Sequence, residues 1–200
     1  EFHLSYGDLR EDPGKFFSGV VSDMGFAVHA PELFEDDHII DLASPDETYR
    51  SLSIRNIQKT IEMTESIGKY FPSETSPVLI MNVGGFSTTD FLTDTEVSYR
   101  KAHLADSFMR LNFGNVRPAI QTMPPFPWHL GGQRYHNLFV DPDETLSIID
   151  TLGCGLCLDV SHTQMACNFY EWDIADFIGD VSSKVLHLHI ADCKGVSGEG

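Results

Sequence analysis

The stretch Asp141-Pro-Asp-Glu-Thr-Leu-Ser-Ile-Ile-Asp-Thr-Leu-Gly153, which continues as Cys154-Gly-Leu-Cys-Leu-Asp-Val160, decides the fold class. Its first half predicts a helix, because Asp141 can cap the N-terminus, Pro142 fits the first turn and Gly153 supplies a C-terminal stop. Glu144 stands where a capping box requires it. The second half is a nearly continuous apolar run, which predicts a strand covered on both faces. A helix that leads into such a strand is the unit from which parallel sheets are built.

The same alternation of short apolar runs and longer amphipathic stretches continues along the chain. It predicts an α/β fold with a parallel sheet, and 200 residues are enough for a single domain over 1–200. The chain begins at Glu1 without an initiator methionine, so we expect a fragment or a processed piece of a longer protein. The predicted strands are 2–6, 26–30, 78–83, 118–122, 154–160 and 185–191, and the predicted helices are 13–24, 46–70, 97–113, 141–153 and 172–178.

The formal net charge is −17, from 13 basic and 30 acidic residues. Proteins that bind nucleic acid use clustered Lys and Arg to displace counterions from phosphates, and this chain has no basic run, so we expect no nucleic-acid partner. No apolar run reaches the ~18 residues of a membrane-spanning helix, and no secretory signal is visible, so we expect no membrane partner. The sequence is compatible with a homo-oligomer and does not decide the oligomeric state.

Four cysteines stand at 154, 157, 167 and 193. Cys154 and Cys157 have the CxxC spacing, which occurs in zinc sites and in redox pairs. Both lie in a predicted strand, however, and strand residues three apart point to opposite faces. We therefore expect no disulfide between them, and buried free thiols in a reducing, cytoplasmic setting.

The stretch 123–137 is too rich in proline and glycine for a helix or a strand. It follows directly on the strand that ends at Thr122, and loops in that position build the active site of a parallel barrel. Its aromatic residues, among them Phe126, Trp128 and Tyr135, favour a substrate cover in which Trp128 and Tyr135 bind substrate. A structural plug and a partner surface are the alternatives.

Side chains that can bind a metal recur where the predicted strands end. Because the ends of parallel strands converge on one mouth, ligands distant in sequence can meet around a single cation. Asp and His ligands suit Zn²⁺, Mn²⁺, Co²⁺ or Fe²⁺. A lone histidine at a strand end is more often structural, so the succession of such residues carries the prediction. The residues are His29, Asn82, Gln121, Asp159, His162, His189 and Asp192.

Three groups of residues resemble a known superfamily. The first is Ala27-Val-His-Ala-Pro31, with Asp41-Leu-Ala-Ser44, Ser53, Ile54 and Gly68 after it. Leu156-Cys-Leu-Asp-Val-Ser-His162 is the second, and His187-Leu-His-Ile-Ala-Asp-Cys-Lys194 with Gly198-Glu-Gly200 is the third. In this order they resemble the xylose isomerase-like TIM barrels, which include sugar isomerases and epimerases and endonuclease IV. The resemblance implies a (β/α)₈ TIM barrel, incomplete here, with about six of the eight βα units.

The resemblance also implies roles for individual residues. Asp159 and His189 match metal ligands, while His162 matches a residue that binds substrate in the sugar enzymes and metal in the nucleases. His29 matches a further nuclease ligand and is a candidate for substrate binding. Two positions depart: Asn82 stands in place of a ligand histidine, and Gln121 in place of a carboxylate with an acid/base role.

These departures bear on the cofactor, which the resemblance implies to be a divalent metal such as Zn, Mn, Co or Mg. A neutral amide compensates the charge of a cation poorly and moves no proton at neutral pH. We therefore expect the metal to bind weakly or not at all, with His162 and Gln121 at the catalytic positions and Asn82 at a substrate-binding one.

Three functions follow. The first is a metal-dependent isomerase or epimerase that acts on a small sugar or sugar derivative. The second is a degenerate, non-catalytic barrel that binds a sugar or a partner within a larger carbohydrate-biosynthesis protein, and Asn82 and Gln121 favour it. The third is an AP endonuclease, which the net charge and the two altered positions count against.

Overall fold

The computed structural model describes residues 1–20 and 23–196, so that the predicted match at Gly198-Glu-Gly200 lies outside the described residues. The strands are β1 (Phe2–His3), β2 (Ala27–His29), β3 (Val78–Met81), β4 (Phe86–Ser87), β5 (Arg117–Gln121), β6 (Trp128–His129), β7 (Gly132–Gln133), β8 (Tyr135–His136), β9 (Gly155–Asp159) and β10 (Val185–His189). The helices are α1 (Gly14–Phe17), α2 (Glu47–Gly68), α3 (Asp94–Met109), α4 (Pro142–Leu152), α5 (Val160–Tyr170) and α6 (Ile174–Val181), with 3₁₀ turns at Asp8–Arg10, Glu35–Asp37 and Ser182–Lys184.

The six predicted strands form one sheet in the order β1-β2-β3-β5-β9-β10. Every neighbouring pair in this sheet is parallel. Strand order follows chain order, and the sheet curls into the wall of an incomplete (β/α)₈ barrel. This confirms the predicted fold and all six strands, although the strands end one to three residues earlier than predicted.

Side chains of the sheet alternate between the helices and the barrel interior, as the two-residue period of a strand requires. On β9, Leu156 and Leu158 belong to the large core that the sheet shares with the helices. Cys157 faces the other way and packs in a smaller cluster with Ala27, Ile80 and Ala119. The residues at the inward positions of the strand ends therefore line one interior.

The residues at the ends of the helices explain which predicted helix boundaries agree with the structure and which do not. Asp141 accepts a hydrogen bond from the Glu144 backbone N–H, and Gly153 ends α4 at φ 65°, as predicted. The predicted helix 13–24 shrinks to α1, since Gly19 at φ 85° already lies in the left-handed region after it. Helix α5 was not predicted, because it follows β9 without a connecting loop.

The other predicted helices exist with shifted ends. Helix α3 begins earlier than the predicted 97–113, because Thr93 and Glu96 form a capping box. The predicted helix 172–178 lies at α6, where Asp173 is the N-cap. Within the described residues, no helix combines the length and the apolar character that crossing a membrane requires.

The stretch 123–137 contains short strands, which corrects the prediction that no strand forms there. Strands β6 and β7 pair as a small antiparallel hairpin. Strand β8 pairs with β4, a strand that was not predicted from the sequence. Two-residue pairings give no periodic sequence signal, and the glycines and prolines of this stretch hide them.

The four cysteines are free thiols, which confirms the absence of a disulfide. Cys154 packs against the large core and Cys157 in the interior cluster, so that the two sulfurs lie on different faces of the sheet. Cys154 and Cys193 are only half-buried, whereas full burial was predicted. Burial raises the pKa of the Cys154 thiol to about 12, so this thiol stays protonated at neutral pH.

Gly155 makes room for Leu186, whose side chain turns inward at a bulge in the pairing of β10 with β9. A Cβ at Gly155 would lie 2.3 Å from Leu186 Cγ, so we expect Gly155→Ala to cost about 1–3 kcal/mol of unfolding free energy. Gly179, inside α6, has no neighbour within 4 Å of such a Cβ. Gly179→Ala is the matched control and should stabilise by about 0.5–1 kcal/mol. Urea unfolding of both variants measures the difference, and equal effects would contradict this packing.

Candidate functional site

Four of the predicted residues meet inside the barrel, each at the last position of its strand. The side-chain amide of Gln121 lies between them. Its Oε1 is 3.0 Å from His29 Nε2, and its Nε2 donates to Asp159 Oδ2 at 2.8 Å. The same Nε2 is 3.2 Å from His189 Nδ1. The strand ends of β2, β5, β9 and β10 therefore bring His29, Gln121, Asp159 and His189 into one cluster, which we call the mouth cluster.

Asp159 links this cluster to helix α5. It is the N-cap of the helix, and its Oδ1 accepts from the His162 backbone N–H at 3.0 Å and from Ser161 Oγ at 2.7 Å. Burial raises the pKa of Asp159, but the nearby His162 ring and these hydrogen bonds outweigh that effect and leave the pKa below its usual value. Asp159 is therefore an ionised carboxylate at neutral pH.

His162 lies in the first turn of α5, beside the mouth cluster. Its Nδ1 is 2.8 Å from the Thr122 carbonyl oxygen, which can only accept a hydrogen bond. The proton of the neutral ring therefore sits on Nδ1, and the basic lone pair is on Nε2. In the described part of the chain this Nε2 has no hydrogen-bond partner. His162 Nδ1 is also 3.6 Å from Asp159 Oδ2, which places the ring next to the carboxylate.

Asp159 and His189 have a geometry that suits two ligands of one cation. Asp159 Oδ2 and His189 Nδ1 are 3.6 Å apart. Two ligands at roughly 2.0–2.2 Å from a tetrahedral cation are about 3.4 Å apart. Gln121 does not fit as it stands, since it turns its N–H group toward Asp159. Asp159 and His189 would hold the ion, and Gln121 would contribute only after its amide rotates.

Three of the predicted substrate-binding residues lie outside this cluster. Asn82 donates to Glu32 Oε1 at 2.8 Å and lines a separate small pocket with Phe86 and Arg134. Trp128 is 71% exposed. Tyr135 packs edge-on against Phe91, with ring centroids 5.2 Å apart. Among the residues described, none of Asn82, Trp128 and Tyr135 makes a hydrogen bond or ring contact with the mouth cluster, so their substrate-binding role stays a prediction.

The residues on the other side of His189 were not predicted from the sequence. His189 Nε2 faces the Glu1 carboxylate, at 3.1 Å from Oε1 and 3.2 Å from Oε2. His187 Nε2 is 2.5 Å from Glu1 Oε2. The alternation of His187 and His189 on β10 was a usable signal, since residues two apart share one face of a strand. Nothing in the sequence pointed to Glu1, because its contacts depend on how the sheet curls.

A curled parallel sheet with helices and with polar residues converging at its strand ends defines the class of (β/α)₈ barrels. The comparisons with known proteins place the chain within it. A family model described as the xylose isomerase-like TIM barrel matches residues 8–200, so the chain belongs to that family. A search of curated proteins found no match.

Several solved structures have the same fold. A D-tagatose 3-epimerase-like protein is 21% identical with a TM-score of 0.60, over 86% of this chain and 58% of its own. An L-ribulose 3-epimerase is 19% identical with a TM-score of 0.59, over 94% and 55%. A 3-keto-D-glucoside 4-epimerase from E. coli is 11% identical with a TM-score of 0.61, over 94% and 65%. The chain thus spans less than two thirds of these structures, and the similarity shows the fold.

Proposed function

We propose that this protein is a metal-dependent isomerase or epimerase that acts on a small sugar or sugar derivative. The observation that carries the proposal is the pairing of the Asp159 carboxylate with His189 Nδ1, 3.6 Å apart, beside the basic nitrogen of His162. Family membership supports it, as do the names of the three similar structures, each described as an epimerase or epimerase-like. The four free thiols are compatible with the cytoplasm.

The residues of the mouth cluster have distinct tasks in this proposal. When bound by Asp159 and His189, a divalent cation supplies Lewis acidity that polarises a sugar carbonyl. His162 Nε2 accepts the proton from the carbon next to that carbonyl. A solvent-exchangeable proton is then delivered to the opposite face of that carbon in an epimerase, or to the former carbonyl carbon in an isomerase. The Thr122 carbonyl keeps His162 in the required tautomer, because it holds the Nδ1 proton. The Gln121 N–H orients the Asp159 carboxylate.

Solvent exchange tests this proposal directly. The protein is incubated with Mn²⁺ and either D-tagatose or L-ribulose in D₂O, and proton NMR follows deuterium incorporation next to the carbonyl. We expect incorporation by the parent protein and a loss of ~10²-fold or more in His162→Gln, as for removal of a general base. His103→Gln, on α3, is the matched control and should exchange at the parental rate. If the protein is shown to hold Mn²⁺ and neither sugar incorporates deuterium, the proposal is contradicted for these two substrates.

A non-catalytic sugar-binding or partner-binding barrel is the second candidate. Gln121 favours it, because the position that carries a carboxylate in the family donates an N–H group here and can transfer no proton. Parallel samples with diamagnetic Mg²⁺ in place of Mn²⁺ separate the two functions. Saturation transfer from the protein to the sugar in these samples, in the parent and in His162→Gln, without deuterium incorporation in the Mn²⁺ samples, indicates binding without catalysis.

A further inference from the structure

The Glu1 carboxylate is surrounded by three histidine rings. His3 Nε2 is 2.7 Å from Glu1 Oε1, and His187 Nε2 is 2.5 Å from Glu1 Oε2. His189 Nε2 approaches both oxygens, at 3.1 and 3.2 Å. Oxygen or nitrogen atoms of Glu1, His187 and His189 all lie within 4.8 Å of one another, which is close enough for one ion to contact all three.

The curl of the sheet assembles this group. Glu1 directly precedes β1, and the two histidines belong to β10, at the opposite end of the strand order. His187 and His189 pair with Cys157 and Asp159 of β9, so both rings point into the barrel interior. The Glu1 side chain is 16% exposed, and those of His187 and His189 are 27% and 19% exposed. The group is therefore sheltered and still open to ions from solvent.

His189 separates this group from the Asp159 side of the mouth cluster. Its Nδ1 lies 3.6 Å from Asp159 Oδ2, whereas its Nε2 faces Glu1. The two nitrogens of an imidazole point in different directions, so an ion held at Nε2 cannot also be the ion at Nδ1. The Glu1 side is a second position with its own carboxylate.

We propose that Glu1, His187 and His189 form a second divalent-cation site, in which both histidines bind through Nε2. When both cation sites are filled, His189 bridges them as an imidazolate, and its ring proton is released to solvent. One carboxylate oxygen and two imidazole nitrogens, with a fourth position for solvent or His3, are a donor set and number typical of Zn²⁺. The proposal does not depend on the sugar chemistry proposed above, since none of its donors except His189 takes part in that chemistry.

Zinc titration of the purified full chain, by calorimetry and by competition with a chromogenic chelator, tests the proposal. We expect the parent to bind two Zn²⁺ ions. His187→Gln and Glu1→Gln should each weaken one of the two sites by more than the roughly 10–100-fold that loss of an outer-sphere partner costs. Asp159→Asn should weaken the other site and retain the Glu1 site. His103→Gln is the control and should bind as the parent does.

The melting temperature measured with and without zinc is a second test, because it detects only zinc that binds the folded protein. Zinc that binds only the native state raises the melting temperature. We expect a smaller rise in Glu1→Gln, which removes the carboxylate charge and keeps the size of the side chain. Parental stoichiometry and affinity in both Glu1→Gln and His187→Gln would overturn the second site. If the second site does not exist, the proposed function is not affected. Zinc binding at Asp159 and deuterium exchange can both still be measured in His187→Gln.

Discussion

Replacing Gln121 with glutamate is expected to tighten Mn²⁺ and Zn²⁺ binding by about tenfold or more. The Gln121 amide nitrogen lies 2.8 Å from Asp159 Oδ2, so the variant places two carboxylates side by side. A cation between them relieves their repulsion and gains the attraction of a second negative charge. At an effective dielectric near 20 that attraction is several kcal/mol before desolvation, so tenfold, or about 1.4 kcal/mol, is a modest expectation.

Calorimetric or competition titration of Gln121→Glu against the parent measures this gain. Gln121→Met is the matched control, since it keeps the volume but offers no oxygen, and its affinity should not exceed that of the parent. Without a cation, Gln121→Glu should unfold more readily than the parent, because its two carboxylates repel each other. Equal cation affinity in parent and variant would show that Gln121 does not stand in for a lost ligand.

Replacing Arg100 with methionine is expected to remove about 3 kcal/mol of unfolding free energy at pH 7.5. Arg100 Nη1 is 3.2 Å from Asp41 Oδ2, and both side chains are largely buried. Asp41 Oδ1 accepts from the backbone N–H groups of Ala43 at 3.0 Å and Gly85 at 2.9 Å. Loss of one partner from a buried ion pair leaves an uncompensated charge, which costs roughly 3–5 kcal/mol.

The effect depends on pH in a defined direction. Burial raises the pKa of Asp41 from 3.8 to about 6, although Arg100 and the backbone N–H groups pull it down. Protonation therefore favours the folded state, and this stabilisation is complete below pH 3.8 and lost as pH rises through about 6. Without Arg100 the pKa of Asp41 rises further, so at pH 5 the carboxyl is neutral and the cost of Arg100→Met should fall below half.

Urea unfolding at pH 5 and pH 7.5 measures both values. Arg55→Met, an exposed residue on α2, is the control and should stay within about 0.5 kcal/mol of the parent. The double variant Asp41→Asn with Arg100→Met should recover more than half of the loss at pH 7.5, because no buried charge remains. A loss in Arg100→Met that is the same at both pH values would contradict the role assigned to Asp41.

The sequence predicted the sheet and the mouth cluster for the same physical reason. Buried parallel strands are continuous apolar runs, and their ends converge, so His29, Gln121, Asp159 and His189 could be assigned to one place from their positions alone. The roles proposed for these residues in binding and catalysis rest on the resemblance to the family. Helix α5 escaped prediction, because Asp159 is at once the last residue of a strand and the cap of the next helix.

Contacts that depend on the curvature of the sheet could not be predicted. The approach of Glu1 to His187 and His189 joins the two ends of the strand order, and neither end carries a local signal of the other. The same holds for the pairing of β4 with β8, since two residues on each side give no period to detect. Asp41 and Arg100 are likewise 59 positions apart, and no motif links them.

The uniformly parallel arrangement of the main sheet also has a consequence for how the chain reaches its native state. A parallel pair cannot form through a tight hairpin, so each of the five pairings requires a long crossover to close first. Closing these loops costs conformational entropy before the strand pairing contributes any stabilisation. Proteins with such topologies therefore fold slowly. During that interval the apolar runs of β3, β5 and β9 are exposed to other chains. Refolding at low protein concentration should therefore give a higher yield of native protein than refolding at high concentration, where association between unfinished sheets competes.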